Sequence, residues 1–172
     1  MSVSRRDARF VRLAAEEAKK SSVGMQHGCI AVTHGKVVAR SFNTACHVSP
    51  TVWWSCHAEM SALKKIGEQQ SSQRRQRITL YVVRTTPHGG LHASAPCWHC
   101  THAIRRCPCI KRIIYSEADG SITPAPRINT SPSTSAGDCD AHRGTPLKRR
   151  CTCAVWERGS GTAAKTSTDW CP

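Results

Sequence analysis

The segment Cys56-His57-Ala58-Glu59-Met60 sets an imidazole and a carboxylate two residues apart, and Pro96-Cys97-Trp98-His99-Cys100 sets two thiols three apart. On a helix, positions i and i+3 share a face, so the sulfurs of Cys97 and Cys100 can reach one ion. At the start of a helix the macrodipole and the unpaired N–H groups favour the thiolate, the form that binds metal. Two thiolates and a neutral imidazole make a soft nitrogen and sulfur set suited to Zn2+, and three protein ligands leave a tetrahedral centre one position open for water. His57 supplies the imidazole if its helix lies beside the one that carries the cysteines. Glu59 stands in the same first turn but points elsewhere, so it reaches the open position without ligating, as a proton carrier must.

Plainer readings compete with that one. His57 and Glu59 also fit a simple helix start, with the acid near the positive end of the dipole. Cys97 and Cys100 also fit a structural zinc knuckle completed by Cys107 and Cys109, although Pro108 separates that second pair and the spacing is tight. Without the knuckle, Cys107 and Cys109 read as packing residues at a strand entry, and Cys29 as a small core residue. Cys46, His47, His88, His92, His99 and His102 show no closed four-ligand spacing and read as surface groups rather than a second, structural zinc site. Trp98 reads as packing under or beside the metal site, while Trp53 and Trp54 fit either a base-stacking wall or the core.

The elements that must position these residues are legible as periodicity. Phe10, Leu13, Ala14 and Ala18 predict an amphipathic helix over residues 5–20, with Glu16 and Glu17 ahead of Lys19 and Lys20. "CIAVT" (29–33) and "KVVARSF" (36–42) predict two strands joined by a two-residue turn at His34-Gly35. Residues 44–56 have no period, and Met60, Leu63 and Ile66 then mark a helix that begins near His57. "ITLYVVR" (78–84) reads as a buried strand, Pro96 as the first residue of a third helix, and "IKRIIY" (110–115) as a further strand. This order predicts an α/β fold with parallel strands joined by right-handed crossovers, the helix starts gathering at the strands' carboxyl ends. A domain ending near residue 120 is expected, its successors adding at most one more strand. Residues 121–172, rich in Pro, Ser and Thr, read as a basic and mostly disordered tail.

The chain of 172 residues carries 25 Lys and Arg against 11 Asp and Glu, a formal net charge of +14. Of these, 18 basic and 7 acidic residues precede residue 121, so the predicted domain is itself basic, at +11. Such a surface attracts phosphate-bearing partners without specifying chemistry. Arg5, Arg6, Arg74, Arg75, Arg77, Arg105, Arg106, Lys111 and Arg112 are candidates for a phosphate track. The charged N-terminus lacks the apolar core of a secretory signal, and no apolar run is long enough for a membrane span. The expected setting is therefore cytoplasmic, with the nucleus as an alternative and no membrane partner. There, 11 cysteines read as thiols and metal ligands rather than as a disulfide framework.

His57-Ala58-Glu59 and Pro96-Cys97-Trp98-His99-Cys100 match the zinc deaminase signature H-x-E…P-C-x-x-C. With "HGCIAV" and "GKVVARSFN" resembling its first hairpin, the chain resembles the cytidine/deoxycytidylate deaminase superfamily from about residue 5 to residue 120. The resemblance implies a three-layer α/β/α sandwich with a mixed central sheet of about five strands. It implies Zn2+ held by His57, Cys97 and Cys100, with Glu59 as catalytic acid and base. It places a substrate contact at Asn43, and Ala58 and Trp54, beside the motif, are further candidates for substrate contact. Ser41 stands where the family often has glycine, two residues before the asparagine. The implied reaction is hydrolytic: water replaces the amino group of the base, Glu59 moves the protons, and ammonia leaves.

Cys56 before the motif fits the deoxycytidylate-type branch, so the first expectation is a free cytosine nucleoside or nucleotide such as dCMP. The alternative is an editing deaminase acting on cytosine in single-stranded DNA or RNA, or on adenosine in tRNA, which the net charge favours. A catalytically silent zinc module that binds nucleic acid is a third reading, and Glu59 argues against it. Assembly into a homo-oligomer is compatible with all three.

Overall fold

The computed structural model describes residues 4–49, 52–68 and 77–126, with the backbone alone described at 46–49, 52–54 and 126. The helices are α1 (Arg5–Ala18), α2 (Ala58–Glu68) and α3 (Trp98–Arg105). The strands are β1 (Gln26–Thr33), β2 (Lys36–Phe42), β3 (Thr44–Ser49), β4 (Val52–Cys56), β5 (Ile78–Thr85), β6 (Leu91–His92), β7 (Ile110–Ser116) and β8 (Ile122–Pro126). The central sheet runs β2-β1-β5-β7-β8, with the two-residue β6 paired to β5. Only β5 and β7 are parallel; the other pairings are antiparallel, so the sheet is mixed.

Alternation along the strands divides the core into two layers. Phe10, Val11, Ala14 and Ala18 of α1 pack on Ile30, Val32, Tyr81, Val83 and Ile114. On the opposite face, Ala58, Ala62 and Ile66 of α2 and Ile104 of α3 cover Cys29, Ala31, Leu80, Val82, Ile110 and Ile113. Burial of each larger aliphatic or aromatic side chain here contributes about 1.5–3 kcal/mol. The result is the three-layer α/β/α arrangement that the family resemblance implies.

Two local devices fix α1 against the sheet. A Cβ on Gly28 would fall 2.0 Å from the Ala14 carbonyl oxygen and 2.5 Å from the Ala18 nitrogen, so only glycine lets helix and strand approach this closely. The buried carboxylate of Asp7 accepts hydrogen bonds from Tyr81 Oη at 2.6 Å and Ser4 Oγ at 2.9 Å, and Arg112 approaches it at 3.4 Å. Tyr81 and Arg112 belong to β5 and β7, which ties the start of α1 to two central strands.

The hairpin turn is as expected: Thr33 pairs with Lys36, and His34 and Gly35 take φ of 49° and 77°, the left-handed pair of a type I′ turn. Elsewhere the structure corrects the sequence reading. The aperiodic stretch 44–56 holds an antiparallel ribbon, with Thr44 opposite Cys56 and Ser49 opposite Val52. Its valine, threonine and tryptophan residues are strand formers, a signal that periodicity does not register. The ribbon returns the chain to the end of β2 and delivers His57 to the start of α2. α3 begins at Trp98 rather than Pro96, with Cys97 as its N-cap. Strand β8 carries the fold past residue 120 to Pro126. The rest of the expected tail, with Arg74 and Arg75 of the phosphate track, lies outside the described residues. No helix among the described residues is long and apolar enough to cross a membrane.

Candidate active site

His57 and Cys97 occupy equivalent positions on neighbouring helices. The Ser61 N–H donates to the His57 carbonyl at 3.1 Å, and the Thr101 N–H donates to the Cys97 carbonyl at 2.8 Å, so each residue caps the start of its helix. Cys100, one turn into α3, is fully buried. The positive ends of both helices therefore converge on the same group of side chains, where they favour negative charge.

His57 Nδ1 lies 3.4 Å from Cys97 Sγ and 3.3 Å from Cys100 Sγ, and the three potential ligand atoms are all within 4.8 Å of one another. A tetrahedral zinc ion, with bonds of about 2.3 Å to sulfur and about 2.0 Å to nitrogen, sets such ligands about 3.5 Å apart. The donor set fits Zn2+ in both chemistry and spacing. Among the described residues it is the one group of three or more histidine, cysteine or carboxylate side chains placed this way. Cys107 and Cys109 lie apart from it, with their sulfurs 3.2 Å from each other. The structural knuckle is thereby excluded. Cys109 is buried and Cys107 packs against the core beside it.

The two thiols share a proton unequally. Hydrogen bonding from Cys100, helped by His57 and opposed by burial, holds the Cys97 thiol down at about 3. The same hydrogen bond, together with burial and the Glu59 charge, pushes Cys100 well up. A divalent cation would take the place of the remaining proton. Glu59, second residue of α2, is 4 % exposed. Burial pushes its carboxyl up against the opposing charge of His57, and the Cys97 thiolate adds to the rise. It is within hydrogen-bonding reach of Cys100, so it stands beside the ligand cluster.

Serines hold this geometry. Ser41 Oγ lies 2.8 Å from the Ala58 carbonyl and 3.0 Å from the Cys29 carbonyl, so its single proton is shared between them and ties the first residue of α2 to the hairpin. Where a glycine would leave this link unmade, Ser41 fixes the turn that carries His57 and Glu59. Ser94 Oγ donates to the Val82 carbonyl at 2.7 Å and lies 2.9 Å from Ser116 Oγ, which anchors the segment leading to Cys97 on β5 and β7. Thr101 Oγ1 donates to the Pro96 carbonyl at 3.2 Å and closes the same turn.

The sequence-predicted substrate contacts fall differently. Ala58 is fully buried and its N–H, at the first position of α2, has no intrahelical acceptor. Asn43 is buried and shapes the entry to β1: Oδ1 accepts from the His27 N–H at 2.8 Å and Nδ2 donates to the Met25 carbonyl at 2.8 Å. Trp54 pairs with Cys46 in the ribbon, and its side chain lies outside the described residues, as do those of Trp53, Cys46 and His47. Trp98 does not pack at the metal site: it is 59 % exposed and stacks on His102, with ring centroids 5.5 Å apart.

One residue near the site escaped the sequence reading. His27 is held down at about 4 by burial and by the charges of Arg84 and His57, with Cys97 opposing, so it lies within electrostatic reach of two of the ligands.

The family model for the cytidine and deoxycytidylate deaminase zinc-binding region matches residues 4–117. The chain belongs to this deaminase family. Its His57-x-Glu59 and Pro96-Cys97-x-x-Cys100 segments both lie within the match. Solved structures of similar fold include the dCMP deaminase of cyanophage S-TIM5, 19% identical, with a TM-score of 0.50 over 68% of this chain and 86% of that one. The same phage enzyme has been solved in complex with dCMP and dUMP. A cytidine deaminase from Burkholderia pseudomallei is 18% identical, with a TM-score of 0.56 over 76% of this chain and 98% of its own. No curated protein sequence matches the chain at a significant level.

Proposed function

We propose that the protein is a zinc-dependent hydrolytic deaminase that converts the cytosine of a free nucleoside or nucleotide, such as dCMP, to uracil. The observation that supports this most is the position of Glu59, a buried carboxylate beside a ligand set that leaves one tetrahedral position for water. A structural zinc site has no use for such a group. His57, Cys97 and Cys100 would hold the ion, which would supply a Lewis acid that lowers the pKa of a water. Glu59 takes a proton from water and passes it to the ring nitrogen beside the amino-bearing carbon. It then carries a second proton to the departing amine, so the amino group leaves as ammonia and an oxygen from water takes its place. The Ala58 N–H, at the positive end of α2, and the remaining donor of the Asn43 amide are offered as contacts to the base or sugar, and Trp54 as a stacking wall. The activity is assigned to the predicted N-terminal domain, extended through Pro126 by β8.

A second reading, a polynucleotide-editing deaminase, draws support from a shallow groove of about 430 Å3 lined by Arg77, Thr79, Lys111, Arg112, Pro124 and Ala125. Arg77 precedes β5 and Lys111 and Arg112 begin β7, so this groove lies at the amino ends of the parallel strands, away from the helix starts that carry the ligands. That separation ranks it below the free-nucleotide reading. The zinc-loaded protein offered dCMP, cytidine, single-stranded oligonucleotides and tRNA is expected to release ammonia from dCMP or cytidine. Conversion confined to the polynucleotides would favour the second reading, and conversion of none would reject both.

A further inference from the structure

Arg84 and two histidines, His27 and His92, line up across the sheet on the face that bears the metal ligands. Along β5, Ile78, Leu80 and Val82 belong to the core beneath α2 and α3, and along β1 so do Cys29 and Ala31. Side chains alternate along a strand, so Arg84 and His27 continue the same face toward the end of the sheet where α2 and α3 begin. His27 pairs directly with Arg84, and Arg84 pairs directly with His92 of β6. Residues opposite one another in an antiparallel ladder project to the same side. His27, Arg84 and His92 therefore form one row over three strands, just beyond the Cys29 and Val82 pair that floors the site. At the near end of the row, His27 lies within electrostatic reach of His57 and Cys97.

Arg84 differs from the other partly covered cations. Arg40 and Lys20 pair with Glu17, and Arg112 pairs with Asp7. Arg84 is half-buried, yet among the described residues no carboxylate lies within ion-pair distance of it. A guanidinium in that position keeps its planar fork of donors for a bidentate anion.

We propose that Arg84, flanked by His27 and His92, is the anion subsite of the deaminase pocket and takes the 5′-phosphate of a free cytosine nucleotide. The inference rests on the deaminase reading and narrows its substrate class to a nucleoside monophosphate. A phosphate monoester carries close to two negative charges at neutral pH, whereas a nucleoside carries none and a phosphodiester one. Charge-assisted bidentate hydrogen bonds to such a group separate nucleotide from nucleoside by roughly ten- to hundredfold.

The test uses the full-length, zinc-loaded protein, with Arg84→Gln and Arg84→Lys beside the wild type and zinc content measured for each. Two readouts run in parallel: the ratio of kcat/KM for dCMP to that for deoxycytidine, and calorimetric binding of dUMP against deoxyuridine. Wild type is expected to favour dCMP and dUMP by at least about tenfold. Arg84→Gln is expected to remove most of that preference, and Arg84→Lys to restore part of it. A preference that survives Arg84→Gln in protein with full zinc overturns the subsite, as does equal affinity of wild type for dUMP and deoxyuridine, which needs no variant to fold. Arg84-dependent binding of dUMP without turnover of any substrate sustains the subsite and rejects the deaminase reading instead. Turnover confined to oligonucleotides, with no binding of dUMP, overturns the subsite as stated.

Discussion

His57, Glu59, Cys97 and Cys100 were legible because their chemistry is written in short spacings. A carboxylate two residues from a ligand, or two thiols one helical turn apart, needs only a helix start to become a site, and both helices begin at the motif. Trp98 shows the limit of that logic. It sits between the cysteines in sequence, but at about 100° per residue the helix turns it away from the face that Cys97 and Cys100 share, and it ends up in solvent. His27, Arg84, Ser94 and Ser116 left no trace in the sequence, since strand register and tertiary contact alone bring them together. The ligand assignment yields a direct expectation. Cys100→Ser or His57→Ala should lower bound zinc, measured by atomic absorption after dialysis, from near one equivalent to a small fraction of it, because each removes one of three protein donors. Trp98→Ala should leave zinc content unchanged.

At the scale of elements, strands and helices with one buried face were readable from apolar spacing, as was the two-residue turn at His34-Gly35. The β3–β4 ribbon was not, because it forms its own two-stranded sheet rather than extending the central one. Gly28 is the tightest contact in the frame. Gly28→Ala is expected to cost about 3 kcal/mol in chemical denaturation, since the added methyl meets helix backbone rather than a movable side chain. The Asp7 staple gives a pH signature. Burial alone would raise the Asp7 carboxyl, but hydrogen bonds from Tyr81 and Ser4 and the charge of Arg112 outweigh it and hold the group below its ordinary value. A folded-state pKa below the unfolded one contributes stability above about pH 4 and loses it as the pH falls through the folded value. Asp7→Asn should therefore destabilise by about 2 kcal/mol at pH 7, with the gap to wild type closing in acid. A gap that stays constant from pH 7 to acid would remove the carboxylate's charge from the explanation.

For the whole molecule, composition announced a basic surface but not where the charge would matter. The structure separates the basic groove at the amino ends of β5 and β7 from the single Arg84 near the carboxyl end of β5, on the face that carries the candidate ligands. Net charge cannot distinguish them, since register and topology decide which cation faces the site. The mixed sheet with helices on both faces brings two helix starts together at one end, and the family match over residues 4–117 covers all of the machinery they carry. What remains is whether that machinery turns over a base through Glu59. The decisive measurement is release of ammonia from dCMP by zinc-loaded wild type and by Glu59→Gln of equal zinc content. Turnover by wild type and a loss of roughly 10²- to 10⁴-fold in kcat for the variant are expected from the removal of a general acid and base. Undiminished turnover by Glu59→Gln at full zinc occupancy would contradict the proton-carrying role of Glu59 and the mechanism built on it.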